Sequence, residues 1–307
     1  MAVTAALIKD LRERTGAGMV DCKNALTKTD GDIDGAIEVL REKGLAAAAK
    51  KAGRIASEGL VYAYLTDDNA IGVLVEVNSE TDFVAKNELF RNYVIDVAKQ
   101  AASSTAENID DFFSEKWLFD GGDTVRDSLN RKISVISENL NIRRFTRFKK
   151  QGAGAIVSYI HGGGRVAVII ELACEKDSDK LFEAGKNLCM QIAAMSPRFV
   201  ARADISQEFI DKEKEILTQL ALNEGKPANI VEKIIAGRLD KELKEFCLLE
   251  QEYVKDSGLT VSQYIESVSK EIGALASVRR FERYETGEGL EKRVDNFAEE
   301  VNKAIKG

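Results

Sequence analysis

The sequence is poor in the side chains that usually carry chemistry. It has one histidine, His161, in 307 residues. That excludes a multi-histidine metal centre and leaves a single candidate for any His-bearing triad. Its four cysteines, Cys22, Cys174, Cys189 and Cys247, are scattered without the close pairs that metal sites use. Each lies in an apolar pattern where a buried thiol is expected, which fits a reducing compartment. No apolar run approaches membrane-spanning length, and the N-terminal one is too short for a signal peptide, so the expectation is a cytoplasmic protein without a membrane partner. A phosphate-cradling loop is missing as well. Gly162-Gly163-Gly164 lacks the Lys-Ser/Thr and the following helix, and reads as a hairpin turn. The net charge of −7 argues against a chain devoted to gripping phosphate backbones. Nothing calls for a cofactor or a bound metal.

What is present is an ordinary globular balance, 44% hydrophobic and 31% charged, with room for two or three domains. The stretch from Ile71 to Asn87 organises it. Val73, Val75 and Val77 alternate as in a buried strand that ends at Asn78. Ser79 and Asp82 have the side chains to cap a helix, and Leu89, Tyr93, Val97 and Ala101 then recur at helical spacing. Asp82-Phe83-Val84 therefore lies where strand turns into helix. Either Phe83 and Val84 tuck under the sheet as a hydrophobic staple, or Phe83 is a rigidly presented wedge.

The chain also repeats itself. Sliding it by 95 lays Tyr64 on Tyr159, Val73 on Val168, Glu76 on Glu171, Asp82 on Asp177 and Ala98 on Ala193, with no gap. Sliding it by 136 lays Ile142-Arg-Arg-Phe-Thr-Arg-Phe148 on Val278-Arg-Arg-Phe-Glu-Arg-Tyr284. The difference, 41, is the length of residues 204 to 244. That segment opens at a candidate cap, Asp204, turns at Gly225-Lys226-Pro227, and reads as a helical hairpin inserted in the second copy. Its bland role is to cover the second sheet; its narrow apolar stripe also suits a protruding coiled-coil arm. Where the first copy has Thr81-Asp82-Phe83-Val84, the second has Lys176-Asp177-Ser178-Asp179, so the apolar wedge exists in one copy only. That inequality strengthens the functional reading of Phe83.

Ahead of the repeat, three short helices end near Gly16, Gly31 and Gly44, and the Ala/Lys run that follows reads as a semi-rigid, partly helical linker. Behind it, Leu290, Val294, Phe297, Val301 and Ile305 mark a terminal amphipathic helix. The expected fold class is α+β. A three-helix domain at 1–44 and a linker at 45–54 precede a duplicated core, 55–150 and 151–285, of two small antiparallel sheets with helices on one face. The second copy carries the 204–244 hairpin, and a helical module occupies 286–307.

Three stretches resemble one family: Leu11-Arg-Glu-Arg-Thr-Gly-Ala-Gly-Met-Val-Asp-Cys-Lys-Asn-Ala-Leu26, Val77-Asn-Ser-Glu-Thr-Asp-Phe-Val-Ala-Lys-Asn87, and Phe281-Glu-Arg-Tyr-Glu-Thr-Gly-Glu-Gly289. They are similar to the signatures of the elongation factor Ts family, the guanine nucleotide exchange factors of the translation GTPase elongation factor Tu. The resemblance implies a non-enzymatic protein that binds elongation factor Tu in its GDP-bound and nucleotide-free forms. It implies that Thr81, Asp82, Phe83 and Val84 disturb the partner's Mg²⁺ site. It makes the N-terminal domain ubiquitin-associated-like, with Arg12, Met19 and Val20 docking on the partner. The family often has a second Met where this chain has Val20. His161, at the second hairpin turn, inherits a partner contact by the same resemblance, and its bland reading is an idle surface residue. Stoichiometry stays open, a dimer of heterodimers included. A competing reading is an RNA-binding accessory protein, from Arg143-Arg144-Phe145 and Arg279-Arg280-Phe281, where arginines alternate with aromatics.

Overall fold

A computed structural model describes residues 3–119, 122–176, 178–224 and 228–292, with the backbone alone at 228–231. By residue contacts it divides into two compact units: Met1–Tyr62 with Val75–Phe145 and Glu285–Gly307, and Ala63–Leu74 with Thr146–Tyr284. The architecture is α+β, with N-terminal helices followed by small antiparallel sheets and their helices.

Helices α1 (Ala5–Thr15), α2 (Met19–Lys28) and α3 (Ile33–Lys51) come first. Thr4 caps α1 by accepting the Leu7 N–H, and Gly16 ends it in the left-handed conformation. Leu11, Cys22, Ala25, Leu26 and Ala36 form their small buried core. The third helix does not stop at Gly44. It continues to Lys51, through most of the run expected as a linker, because Gly44 is a packing glycine: α3 lies against α7 (Val125–Ile136), with the Asn130 carbonyl beside the position a Cβ would take. Arg41 also pairs with Asp127 at 3.1 Å.

The first three-stranded sheet has the order β1-β2-β3, from β1 (Glu58–Leu65), β2 (Ile71–Ser79) and β3 (Leu140–Lys149). Between β2 and β3 lie α4 (Asp82–Lys86), α5 (Glu88–Ser103), α6 (Ile109–Ser114) and α7. Phe90, Tyr93, Val94 and Val97 of α5 are buried. The second sheet has the order β4-β5-β8, from β4 (Gly154–His161), β5 (Val166–Ala173) and β8 (Ser277–Glu285). Antiparallel pairing runs from Gly154 with Ala173 to His161 with Val166, around a turn in which Gly162, Gly163 and Gly164 all have positive φ. Helix α8 (Asp179–Met195) packs on this hairpin closely enough that a Cβ on Gly185 would strike Val157. Leu181, Leu188 and Ile192 share a core with Val157, Val168 and Ile170.

Helices α9 (Gln207–Asn223) and α10 (Ala228–Phe246) run antiparallel, since Phe209 meets Phe246, Leu217 and Ala221 meet Ile235, and Glu224 pairs with Arg238. The cap of α9 is Ser206, which accepts the Phe209 N–H; Asp204 instead takes the Ala201 N–H at 2.9 Å. The expected Gly225-Lys226-Pro227 turn lies outside the described residues. After α10 come a short strand pair, β6 (Glu252–Tyr253) and β7 (Asp256–Thr260), and helix α11 (Val261–Ile272). The expected C-terminal helix falls almost wholly outside the described residues. No helix among the described residues is long and apolar enough to cross a membrane.

Candidate partner-facing site

The junction after β2 is built differently from the sequence expectation. The helix cap is Thr81, not Ser79: its hydroxyl accepts the Val84 N–H at 3.4 Å, while the Ser79 hydroxyl turns to the Thr81 carbonyl. Nor does one helix follow. Asn87 adopts an extended conformation that ends α4 and, by accepting the Leu89 N–H at 2.8 Å, starts α5. Five residues thus form a separate turn of helix, with Ala85 as its only buried residue.

This turn displays Phe83. The ring is 80% exposed, which removes the staple reading for it; Val84 is half-buried. Asp82 is exposed and paired with Lys86 at 2.6 Å, and that hydrogen bond holds its carboxyl below the usual carboxylate range. Glu138 grips the start of the turn with both oxygens, accepting the Thr81 hydroxyl at 2.7 Å and the Thr81 N–H at 3.1 Å. In return Glu80 accepts the Asn139 N–H at 2.6 Å.

The remaining candidates stand on other elements. Met19 and Val20 open α2 directly after Gly18 and are 60% and 71% exposed, with Arg12 exposed on α1. His161 is exposed at the end of β4, its Nδ1 3.0 Å from the Tyr159 hydroxyl. The arginine and aromatic pairs are not a stacking platform. Arg143 and Arg144 are bound to the fully buried carboxylate of Glu76 at 3.0 and 2.6 Å, which also takes the Gly287 N–H at 2.8 Å. Arg280 is bound to Glu171 at 2.8 Å and lies over Phe148, and Phe145 packs on Phe112. Arg143, Arg144 and Arg280 thus neutralise buried carboxylates, while exposed Arg279 reaches the Ala153 carbonyl at 3.4 Å, which weakens the feature that favoured RNA.

The comparison with known proteins decides the family. A family model described as elongation factor TS matches residues 80–288. Curated proteins named elongation factor Ts from Clostridium perfringens (strain SM101 / Type A) and Clostridium botulinum (strain Alaska E43 / Type E3) are each 52% identical, over 98% and 99% of both chains respectively. The chain belongs to the elongation factor Ts family. It is a nucleotide exchange factor for elongation factor Tu in translation elongation, and not an enzyme. The matched range opens at Glu80, beside the Thr81 cap, and closes at Glu288, beside Gly287. Sequence reasoning missed Glu138. Its signal was an offset of 136, which lays Glu138 and Asn139 on Ala274 and Leu275 and so makes the carboxylate peculiar to one copy.

Proposed function

We propose that exchange by this protein is driven from the α4 turn, where Thr81, Asp82, Phe83 and Val84 disturb the groups around the partner's Mg²⁺. An exchange factor must bind the nucleotide-free partner better than the loaded one, and the coupling is reciprocal. A wedge supplies that difference if it occupies space the loaded state needs.

The observation that carries this reading is a length difference between two otherwise alike junctions. Both hairpins open on a glycine with positive φ for which the facing strand leaves no room for a side chain, Gly59 and Gly154. Both bury a glutamate bound by arginine, Glu76 and Glu171, 95 residues apart. Beyond the junction the offset falls to 91. The caps Asn87 and Ser178 correspond, as do buried Phe90 and Leu181, Val97 and Leu188, Gln100 and Gln191. Each of the two buried glutamines accepts one backbone N–H, from Leu118 or Val254, and donates to the carbonyl two residues earlier, of Lys116 or Glu252. The slide is therefore not gapless. Between the buried glutamate and the helix cap the first copy carries four more residues, where α4 stands, and the common fold does without them. Asp177, the expected counterpart of Asp82, lies outside the described residues.

These correspondences support a duplicated core of 55–150 and 151–285 with the arm inserted at 204–244. In this reading the N-terminal module, residues 1–44 with the continuation of α3, is ubiquitin-associated-like and supplies affinity through Arg12, Met19 and Val20. His161 and the 286–307 module add contacts. The test is release of fluorescent GDP from elongation factor Tu under saturating factor. Phe83→Ala should slow it by about tenfold or more while binding to nucleotide-free partner falls much less. Release at the wild-type rate would reject the wedge.

A further inference from the structure

We infer that Glu138 is a positioning residue for exchange: its carboxylate fixes the α4 turn through Thr81 and so sets the direction in which Phe83 is presented. The inference deepens the reading of α4 as the wedge and rests on it.

A helical turn of five residues cannot hold itself together. Nucleation fixes several residues for very few hydrogen bonds, so an isolated turn is mostly unformed. Within α4 the Ala85 N–H reaches the Thr81 carbonyl at 3.4 Å, a long bond, and only Ala85 is buried. Order must come from outside. At the far end Asn87 supplies it, tied to the start of α5. At the near end Glu138 supplies it, with one oxygen on the Thr81 hydroxyl and the other on the Thr81 N–H. Hydrogen bonds to an ionised acceptor are short and strong, and two to one carboxylate fix direction as well as distance.

Glu138 is itself well mounted. Helix α7 is fixed at its start by the reciprocal Thr124 and Asp127 capping box and ends at Ser137 in the left-handed conformation, which delivers residue 138 to the strand end. Glu80 and Asn139 close a second link, and Arg54 approaches Glu80 at 3.4 Å.

The second copy provides the control. Helix α11 has the same kind of capping box, at Thr260 and Gln263, and the same left-handed end, at Gly273. There residues 274 and 275 are alanine and leucine, and Lys176 donates to the Gly273 carbonyl at 2.9 Å. Among the described residues this junction holds no counterpart of α4, and no carboxylate stands at positions 274 and 275. The common fold does not need Glu138, and the α4 turn does.

The experiment compares Glu138→Ala, Thr81→Ala and Thr81→Ser in the full chain. Amide hydrogen exchange is read at Val84 and Ala85 of α4 and at Val73–Val77 of β2, alongside GDP release under saturating factor. Glu138→Ala should speed exchange of the α4 amides by about tenfold or more while the β2 amides keep their protection. Maximal GDP release should fall, with little change in the factor concentration giving half-maximal rate. Thr81→Ser, which keeps both donors, should restore both readouts that Thr81→Ala loses. In a Phe83→Ala background the Glu138→Ala change should add less than about twofold to the loss of rate. Unchanged α4 protection in Glu138→Ala overturns the inference whatever Phe83 does. So does equal loss of β2 protection, or an effect on rate that adds in full to that of Phe83→Ala. If Phe83→Ala alone releases GDP normally, the wedge fails, and the amide readout still decides whether Glu138 orders the turn.

Discussion

Two strand-to-helix junctions in this molecule do nearly the same mechanical job with different lengths of chain. From β2 to α5 the chain runs through residues 80–87; from β5 to α8 it runs through 174–178. Each ends on a capping side chain, Asn87 or Ser178, and each delivers a helix with a buried face. The shorter junction is held by Lys176 reaching the end of α11. The longer one inserts a separate turn, leaves an aromatic ring in solvent, and needs two glutamates to hold it. Burying a large ring stabilises a fold, so a sequence selected for stability alone would not build the second kind from the first. The proposed wedge gives the extra turn a use outside the chain.

The largest test of that contrast is to make the junctions alike. Removing residues 81–84 should give a protein that still melts cooperatively, yet GDP release from the partner should fall to near its unassisted rate. Loss of the thermal transition would show that α4 belongs to the core. Next in size is a pair of rings seven residues apart in the same stretch, Phe83 and Phe90. Phe90→Ala should cost about 3–5 kcal/mol in denaturant unfolding, as truncation of a buried phenylalanine does. Phe83→Ala should stay within about 0.5 kcal/mol of wild type, as exposed sites do. Comparable losses would end the distinction between core and wedge.

A smaller effect should show where the two regions agree. Gln100→Ala and Gln191→Ala each remove a buried side chain that bonds both a backbone N–H and a backbone carbonyl, so each should lower stability by about 1–3 kcal/mol and by similar amounts. Loss at one and not the other would argue against a common plan. Smallest of all is the exposed pair beside Phe83. Since the Lys86 hydrogen bond holds the Asp82 carboxyl below its ordinary range, Lys86→Ala should raise the midpoint of its NMR titration toward that range, with folding unaffected at neutral pH. An unmoved midpoint would mean the pair does not persist in solution.

The strand at Val73–Val77, the glycine turn at 162–164 and the paired α9 and α10 were all legible, because alternation and turn chemistry are local. The position of the gap was not. A helix turns once in about 3.6 residues, so sliding one apolar face past another by four leaves the pattern almost unchanged. Ala98 matches Ala193 by letter, although its place in the core is that of Cys189. Gly44 was misleading for a related reason: a glycine that stops a helix and one that lets another helix approach look the same in sequence. The site divided likewise. The order Thr-Asp-Phe-Val and its absence from the second copy pointed to Phe83, while Glu138 is joined to it only through a contact spanning 57 residues. The arginines suggested RNA because a sequence does not display the buried carboxylates that Arg143, Arg144 and Arg280 neutralise.

The Glu76 carboxylate has a consequence for the order in which the molecule can be completed. Buried and ionised, it is tolerable only with its donors in place. Asn78 lies beside it in the chain, at 3.0 Å, but Arg143 and Arg144 follow 67 and 68 residues later, and the Gly287 N–H arrives 211 residues later, on a turn seated against Ser57. At a synthesis rate of about 5–20 residues per second, the interval from residue 76 to residue 287 is on the order of ten to forty seconds. During that time the first hairpin exists with a charge it cannot yet bury in full. The Gly287 donor is supplied long after the strands it serves, so a nascent chain halted short of residue 287 should hold β1 and β2 in a looser, protease-sensitive state.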